Sequence, residues 1–124
     1  MNAVAQVLTI VEGLALATVG ALQAFSFRDQ RFRPIFLIRP EDTEAVRLWA
    51  IDVGFGNLAW AVGAFTGVLL VNLGLVGEGR TIVIFVSIAM IVLGFVLLFS
   101  ELRLWRNAIA QVALPVAVLV AMSF

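Results

Sequence analysis

The sequence contains no cysteine, no histidine and no tyrosine, and all eight of its basic residues are arginine. Without cysteine the chain has no disulfide, no thiolate nucleophile and no cysteine-ligated metal. Without histidine it cannot build a histidine–metal site, a Ser-His-Asp triad or a haem held by histidine. Acid–base chemistry would therefore use carboxyl groups, hydroxyls, amides and arginine, and we expect no metal and no other cofactor.

Charge is scarce as well. Only 13% of the 124 residues are charged, the net charge is zero, and 63% are hydrophobic. A soluble domain of this size does not need so apolar a surface, whereas a helical membrane protein does. The balanced charge also argues against nucleic acid as a partner. The composition predicts a single membrane domain over residues 1–124, with the lipid bilayer as its surroundings.

Four apolar stretches are long enough, at about 20 residues per crossing, to span a bilayer as helices. They cover about residues 3–25, 42–72, 81–102 and 107–124. Glycines at 74, 77 and 79 predict a short turn between the second and third stretches. The first stretch carries Glu12 and has no basic residue before it, so we expect a retained helix and not a cleaved signal peptide. The predicted fold is all-α, a polytopic up-down bundle.

Arginine is concentrated on one side of this predicted topology. Five arginines lie between residues 26 and 47, and Arg103 and Arg106 flank the third connection. The opposite side has only Arg80 and the terminal amine. By the positive-inside rule we expect loop 26–41 on the cytoplasmic side of the cell membrane and both termini outside.

One face of the second helix combines a carboxyl with small residues. Asp52, Gly56, Ala59 and Gly63 follow helical spacing and share that face. A carboxyl in hydrocarbon costs roughly 2 to 3.5 kcal/mol, so it normally faces protein or a wet cavity. We therefore expect the bundle to be organised around this face, with Asp52 pointing inward.

The other helices also carry polar side chains on definable faces. Glu12 and Gln23 are eleven residues apart, close to three full turns, and point the same way. In the fourth helix Pro115 removes the N–H that would bond the carbonyl of Gln111. These positions predict a funnel that opens to the cytoplasmic side, with Asp52 and Glu101 at its mouth and Glu12 at its floor.

A structural role is the alternative for several of these residues. Polar side chains in membrane helices often form interhelical hydrogen bonds, which contribute about 0.6 kcal/mol on average. Gln23, Asn57 and Asn107 fit that role. Glu101 lies close enough to Arg103 to form an interfacial ion pair instead of lining a funnel.

Three short motifs resemble a known family of small four-helix bacterial membrane proteins, domain of unknown function 1304: Gln23-Ala-Phe25-Ser-Phe27, Asp52-Val-Gly-Phe-Gly-Asn57 and Gln111-Val-Ala-Leu-Pro115. The family pattern there is similar to Glu-x-Phe-x-Trp, Asn-Gln-Gly-x-Tyr-Asn and Gln-Gly-x-Pro. The resemblance covers nearly the whole chain and implies four membrane helices. This sequence departs from the pattern in lacking a Glu-His pair in its first helix and in having Gln23 and Asp52 where Glu and Asn are usual.

The leading functional hypothesis is an enzyme that uses carboxyl general acid/base chemistry on a lipid or isoprenoid-like substrate, as a cyclase or isomerase does. A carboxyl in a dry site stays protonated and can donate a proton, so Asp52 would be the acid and Glu101 or Glu12 the second carboxyl. Five further side chains are candidates for substrate binding: Gln23, Asn57, Trp60, Gln111 and Phe55. The alternatives are a non-catalytic scaffold that forms homo-oligomers and a proton-coupled small transporter.

Overall fold

A computed structural model describes residues 1–25 and 47–124. The predicted loop 26–41 and the predicted start of the second helix at residue 42 lie outside these ranges. Four α-helices fill the described chain: α1 (Ala3–Phe25), α2 (Arg47–Asn72), α3 (Val76–Ser100) and α4 (Trp105–Met122), with one 3-10 turn, Leu102–Leu104, before α4.

The predicted fold class is confirmed. Each of the four helices, the last together with its preceding 3-10 turn, provides a segment that is long and apolar enough to cross a membrane. The segments are Ala3–Phe25, Ala50–Asn72, Val76–Ser100 and Leu102–Met122. The described residues contain no strand. Backbone polar groups in hydrocarbon must be satisfied within the segment, which a helix does for itself. The protein is therefore a multi-pass, all-α membrane protein.

The four helices form a closed ring in chain order. Each helix packs against its neighbours in the chain, and α4 returns to α1. The Asn2 amide donates to the carbonyl of Ala121 (2.7 Å), and the Asn72 amide donates to the side chain of Gln6 (3.0 Å). These bonds put both termini and the α2–α3 turn at one end of the bundle, here called the terminal end. The α3–α4 connection lies at the opposite end, here called the Glu101 end.

A Schellman motif ends α2. Gly74 has a positive φ of 92°, in the left-handed region that glycine adopts without a Cβ clash. The N–H of Leu75 bonds the carbonyl of Leu70 (2.9 Å), and the N–H of Gly74 bonds the carbonyl of Val71 (3.3 Å). This pattern satisfies carbonyls that the end of the helix leaves free, so the chain turns immediately after Asn72.

The third helix starts at Val76, five residues before the predicted start at 81. Gly77 and Gly79, which the sequence suggested belong to the turn, are helical. A Cβ on Gly79 would lie 2.5 Å from the carbonyl oxygen of Gly67 on α2. Gly79 therefore allows the backbones of α2 and α3 to pack closely. Assigning Gly79 to a turn, as the sequence suggested, misses this role.

The α1–α2 seam is equally close. A Cβ on Gly54 would lie 2.5 Å from the backbone nitrogen of Ala24 and 2.6 Å from the carbonyl oxygen of Gly20. Small residues at these positions let the two backbones approach each other, which is how membrane helices pack without a hydrophobic driving force. Helix α2 thus turns its Ala50 and Gly54 side inward, and both residues are buried.

The face predicted to organise the bundle is for the most part not the one that packs. Asp52 and Ala59 are exposed, and a Cβ on Gly56 would meet no atom within 4 Å. Gly63 alone lies beside α3, where its Cβ would be 3.2 Å from Val86. The reason is the rotation of α2 about its own axis. The Gly54 side of α2 packs against Gly20 and Ala24, so Asp52 and Gly56 face outward.

At the terminal end the interior is apolar. A cluster of buried side chains, here called the apolar cluster, joins α1, α3 and α4: Ala5, Val83, Val118, Ala121 and Met122. Met1, Leu8 and Ile84 pack around it. A second buried group lies between α2 and α3: Ala64, Val86 and Met90, with Leu16, Trp60 and Ile82 against it.

Candidate functional site

Among the described residues, Glu12 is the acidic residue whose side chain is buried in the bundle. It is 2% exposed and sits on the inner face of α1. Its Oε2 accepts a hydrogen bond from the Ser87 hydroxyl of α3 (3.3 Å), whereas its Oε1 is buried and has no partner in the described part of the chain. Buried polar atoms are nearly always paired, so the unpartnered Oε1 makes Glu12 a candidate functional carboxyl.

Two hydroxyls accompany this carboxyl. Thr9 is fully buried, and its hydroxyl donates a hydrogen bond to the carbonyl of Ala5 in the same helix (2.7 Å). Ser87 is also fully buried, and it donates to Glu12 from the far side of the ring. Ser87 lies seven residues before Gly94 on the buried face of α3. That spacing is visible in the sequence and predicts an inward position for Ser87, but it does not reveal the bond to Glu12.

Gln111 supplies an amide from α4. Its Nε2 donates to the backbone carbonyl of Met90 on α3 (3.2 Å), and Pro115, less than 2% exposed, leaves the carbonyl of Gln111 without its usual helical donor. Met90 lies about one turn from Ser87 on the same helix. The carboxyl of Glu12 and the amide of Gln111 thus bind neighbouring turns of α3.

These two side chains also lie at a similar depth. The Asn2–Ala121 hydrogen bond sets the alignment of the antiparallel helices α1 and α4. Ten residues separate Asn2 from Glu12, and ten separate Ala121 from Gln111, which corresponds to about 15 Å along each helix. Glu12, Ser87, the Met90 carbonyl and Gln111 therefore form one polar layer, here called the polar layer, between the apolar cluster and the Glu101 end.

Gln23 and Asn57 pair with each other. The Asn57 amide donates to the Gln23 side-chain oxygen at 2.6 Å, which joins α1 to α2 near the Glu101 end. This is the structural alternative that the sequence offered for both residues. Their predicted roles in substrate binding stay predictions.

Asp52 does not point into the bundle. Its side chain is exposed on α2, in contrast to the inward position expected from its spacing. Asp52 therefore does not share the interior of the bundle with Glu12 and Ser87. Its predicted role as catalytic acid stays a prediction that this position does not support.

Glu101 forms an ion pair. Its Oε1 accepts from the Arg103 guanidinium at 2.9 Å, and the Arg103 side chain is 74% exposed. The side-chain hydrogen bond from Arg103, followed by the bond from its backbone N–H, lowers the pKa of Glu101. Glu101 is therefore ionised at neutral pH and is a poor proton acceptor, which fits an interfacial ion pair better than a second catalytic carboxyl.

The aromatic candidates lie in different surroundings. Phe55 is 51% exposed and meets Phe25 edge-on, with 5.4 Å between ring centroids. Trp60 is half-buried beside Phe85 (5.9 Å) and packs against the buried group that contains Met90. Of the two aromatic residues proposed for substrate binding, Trp60 is thus the one that touches the interior.

The described residues contain no group of three or more acidic side chains placed to hold a metal ion. What they do bring together is a carboxyl, a hydroxyl, a backbone carbonyl and an amide in an otherwise apolar interior. That arrangement can donate and accept a proton, and it can hydrogen-bond one polar group of a lipid-soluble molecule.

Comparison with protein families finds a match that covers most of the chain. The family model described as "Protein of unknown function (DUF1304)" covers residues 10–123. No curated protein and no solved structure matches the chain. The residues that resemble the family pattern include Gln111 and Asn57, both of which form interhelical hydrogen bonds.

Proposed function

This chain belongs to the family described as Protein of unknown function (DUF1304), and we propose that it is a membrane-embedded enzyme in which Glu12 performs general acid/base chemistry on a lipid or isoprenoid-like substrate. The observation that carries the proposal is the position of Glu12, buried with one oxygen bonded to Ser87 and the other without a partner in residues 1–25 and 47–124. An intramembrane ionisable residue is a functional candidate by default, because its burial is costly.

A single carboxyl is sufficient for an isomerase. The neutral acid gives its proton to one carbon of a C=C bond, which leaves a carbocation on the adjacent carbon. The resulting carboxylate then removes a proton from the neighbouring carbon, and the double bond re-forms one position along. The proton count is unchanged, so the reaction needs no oxidant or reductant. In a cyclase a second C=C bond attacks the cation before the proton is lost.

The surroundings suit this chemistry. Ser87 holds one oxygen of Glu12 and so orients the carboxyl. Trp60, at the border of the interior, has an aromatic face that can stabilise a cation. The apolar outer faces of the helices are where a hydrophobic substrate arrives, since such a molecule partitions into the bilayer.

Orientation and location complete the proposal. We place the protein in the cell membrane, with loop 26–41 cytoplasmic and both termini outside, because arginines concentrate on the loop side. The polar layer then lies between the apolar cluster on the outer side and the Glu101 end on the cytoplasmic side.

A comparison of lipid conversion tests the enzyme. Purified wild-type protein and the Glu12→Gln variant are incubated in micelles with a total lipid extract of the source organism. Chromatography with mass spectrometry then searches for a lipid replaced by an isomer of equal mass. We expect that conversion with wild type and a loss of about 10² or more with Glu12→Gln, the scale of general acid catalysis. No isomer formed by wild type, or equal conversion by both proteins, would reject the proposal.

An oligomeric scaffold is the second candidate, and one observation favours it. Gly56 has open space where a Cβ would stand, and Ala59 beside it is exposed. Small residues on an outward face are typical of membrane helix contacts between subunits. A Gly56→Leu change that dissociates a homo-oligomer, together with an inactive wild type in the lipid assay, would favour this role over the enzyme. A proton-coupled transporter would instead show proton movement across vesicles that Glu12→Gln abolishes.

A further inference from the structure

The interior of the bundle differs on the two sides of Glu12. Toward the terminal end the apolar cluster fills the space between α1, α3 and α4 with Ala5, Val83, Val118, Ala121 and Met122. Ala5, Val83 and Val118 are 0% exposed. Between Glu12 and the Gln6–Asn72 pair at the terminal surface, Thr9 is the buried polar side chain, and its hydroxyl is bonded to its own backbone. Along this part of the described interior, water meets only that already bonded hydroxyl.

Toward the Glu101 end the seam between α3 and α4 combines apolar contacts with amide side chains. Gly94 and Ala108 are buried at this seam, where a Cβ on Gly94 would lie against the side chain of Val112 and 3.5 Å from the carbonyl oxygen of Ala108. Gln111 and Asn107 are one turn apart on α4 and only partly buried. Glu101 and Arg103 follow at the surface. Polar groups therefore continue from the polar layer to the end of the bundle.

From this asymmetry we infer that water and protons reach Glu12 from the Glu101 end alone, along the α3–α4 seam past Gln111 and Ser87. The inference rests on the proposed function in one respect only, namely that this function requires Glu12 to exchange a proton. Two features argue for the route. Oε1 of Glu12 has no partner among the described residues, and Gln111, whose carbonyl loses its usual helical donor to Pro115, lies at a similar depth. A water needs two to four polar partners, and the polar layer offers them.

The absence of cysteine makes the route directly measurable. Every thiol in a single-cysteine variant is the introduced one. Four variants sample the two sides: Ser87→Cys and Gln111→Cys on the route, and Ala5→Cys and Val118→Cys in the apolar cluster. Each is treated in micelles with a membrane-impermeant methanethiosulfonate carrying a quaternary ammonium group, and mass spectrometry follows the adduct.

We expect the two route variants to react at least about tenfold faster than the two cluster variants, because a thiolate forms only where water reaches it. Adding Gln111→Leu to Ser87→Cys should slow its reaction by about tenfold. Gln6→Leu in the same background is the matched control, since Gln6 lies at the terminal end and bonds Asn72. It should leave the rate unchanged.

Sidedness is tested in vesicles with the reagent added to one face at a time. Ser87→Cys should react only when the reagent is on the face of the Glu101 end. Equal rates for Val118→Cys and Ser87→Cys, reaction from the terminal face, or no reaction of Ser87→Cys in folded protein that reacts when unfolded would each overturn the inference. Labelling does not depend on turnover. An active enzyme with unreactive Ser87→Cys would therefore reject the route alone, and a reactive Ser87→Cys in an inactive protein would reject the enzyme alone.

Discussion

The hydrogen bond from Ser87 to Glu12 spans 3.3 Å and joins α3 to α1. These two helices lie across the bundle from each other, since each packs mainly against α2 and α4. Ser87→Ala removes the donor and leaves both carboxyl oxygens without a partner in the described residues. We expect a loss of about 0.6 kcal/mol, and at most about 1.7, in the free energy of unfolding. Unfolding in mixed detergent and dodecyl sulfate micelles measures it. The control is Ser123→Ala, whose exposed hydroxyl bonds Val120 locally. Equal stability of the two variants would contradict the prediction.

Replacing two different glycines of α2 by alanine should change the stability of the protein in opposite directions. In Gly54→Ala the new methyl group would lie 2.5 Å from the Ala24 nitrogen, so α1 and α2 must separate, at a cost of about 1 to 3 kcal/mol. In Gly56→Ala the methyl group meets no atom within 4 Å, and the better helix propensity of alanine should stabilise by about 0.5 to 1 kcal/mol. Thermal denaturation in detergent distinguishes them. If Gly56→Ala were the destabilising change, the observed rotation of α2 would be wrong.

Pro115→Ala restores a backbone N–H for the carbonyl of Gln111, and we expect α4 to straighten. The proline ring is buried, so its removal also leaves a small void, and the two effects on stability oppose each other. Amide hydrogen exchange at residue 115 reports the restored bond directly. If lipid conversion falls while thermal stability rises, the missing backbone bond at Pro115 is functional. Unchanged conversion and stability would mean that Pro115 is only tolerated.

Asp52 and Glu12 should respond differently to the same amide substitution. Asp52 is exposed, so Asp52→Asn should fold, insert and convert lipid as wild type does. Glu12→Gln should also fold, because glutamine keeps the size and the acceptor for Ser87, yet conversion should drop by about 10². A normal Glu12→Gln beside an inactive Asp52→Asn would return the catalytic role to Asp52.

Topology is testable without a substrate. Reporter fusions at residue 35 and at the C-terminus should label opposite sides of the membrane, with residue 35 cytoplasmic. The physical reason is the group of arginines between residues 26 and 47, which resist translocation. The same label on both fusions would contradict four crossings, and reversed labels would contradict the orientation alone.

The sequence by itself determined the fold class. Four apolar stretches separated by arginine-rich or glycine-containing segments permit little except membrane helices, because hydrocarbon requires every backbone group to be paired within its segment. The predicted ends of the third and fourth helices were placed to within two residues, at Ser100 and Met122. The start of the third was wrong by five residues, since glycine serves turns and close helix packing alike, and local sequence does not distinguish Gly74 from Gly79.

The sequence also identified Glu12 as a candidate and offered the Glu101–Arg103 pair as an alternative. Only the tertiary structure decided which polar residues meet. Helical spacing tells which residues of one helix share a face, but not which face turns inward. That rotation depends on how closely two backbones approach, and here Gly20, Gly54 and Ala24 set it. Their fit turned Asp52 outward, and the tertiary packing left Glu12 beside Ser87, 75 residues away in the chain.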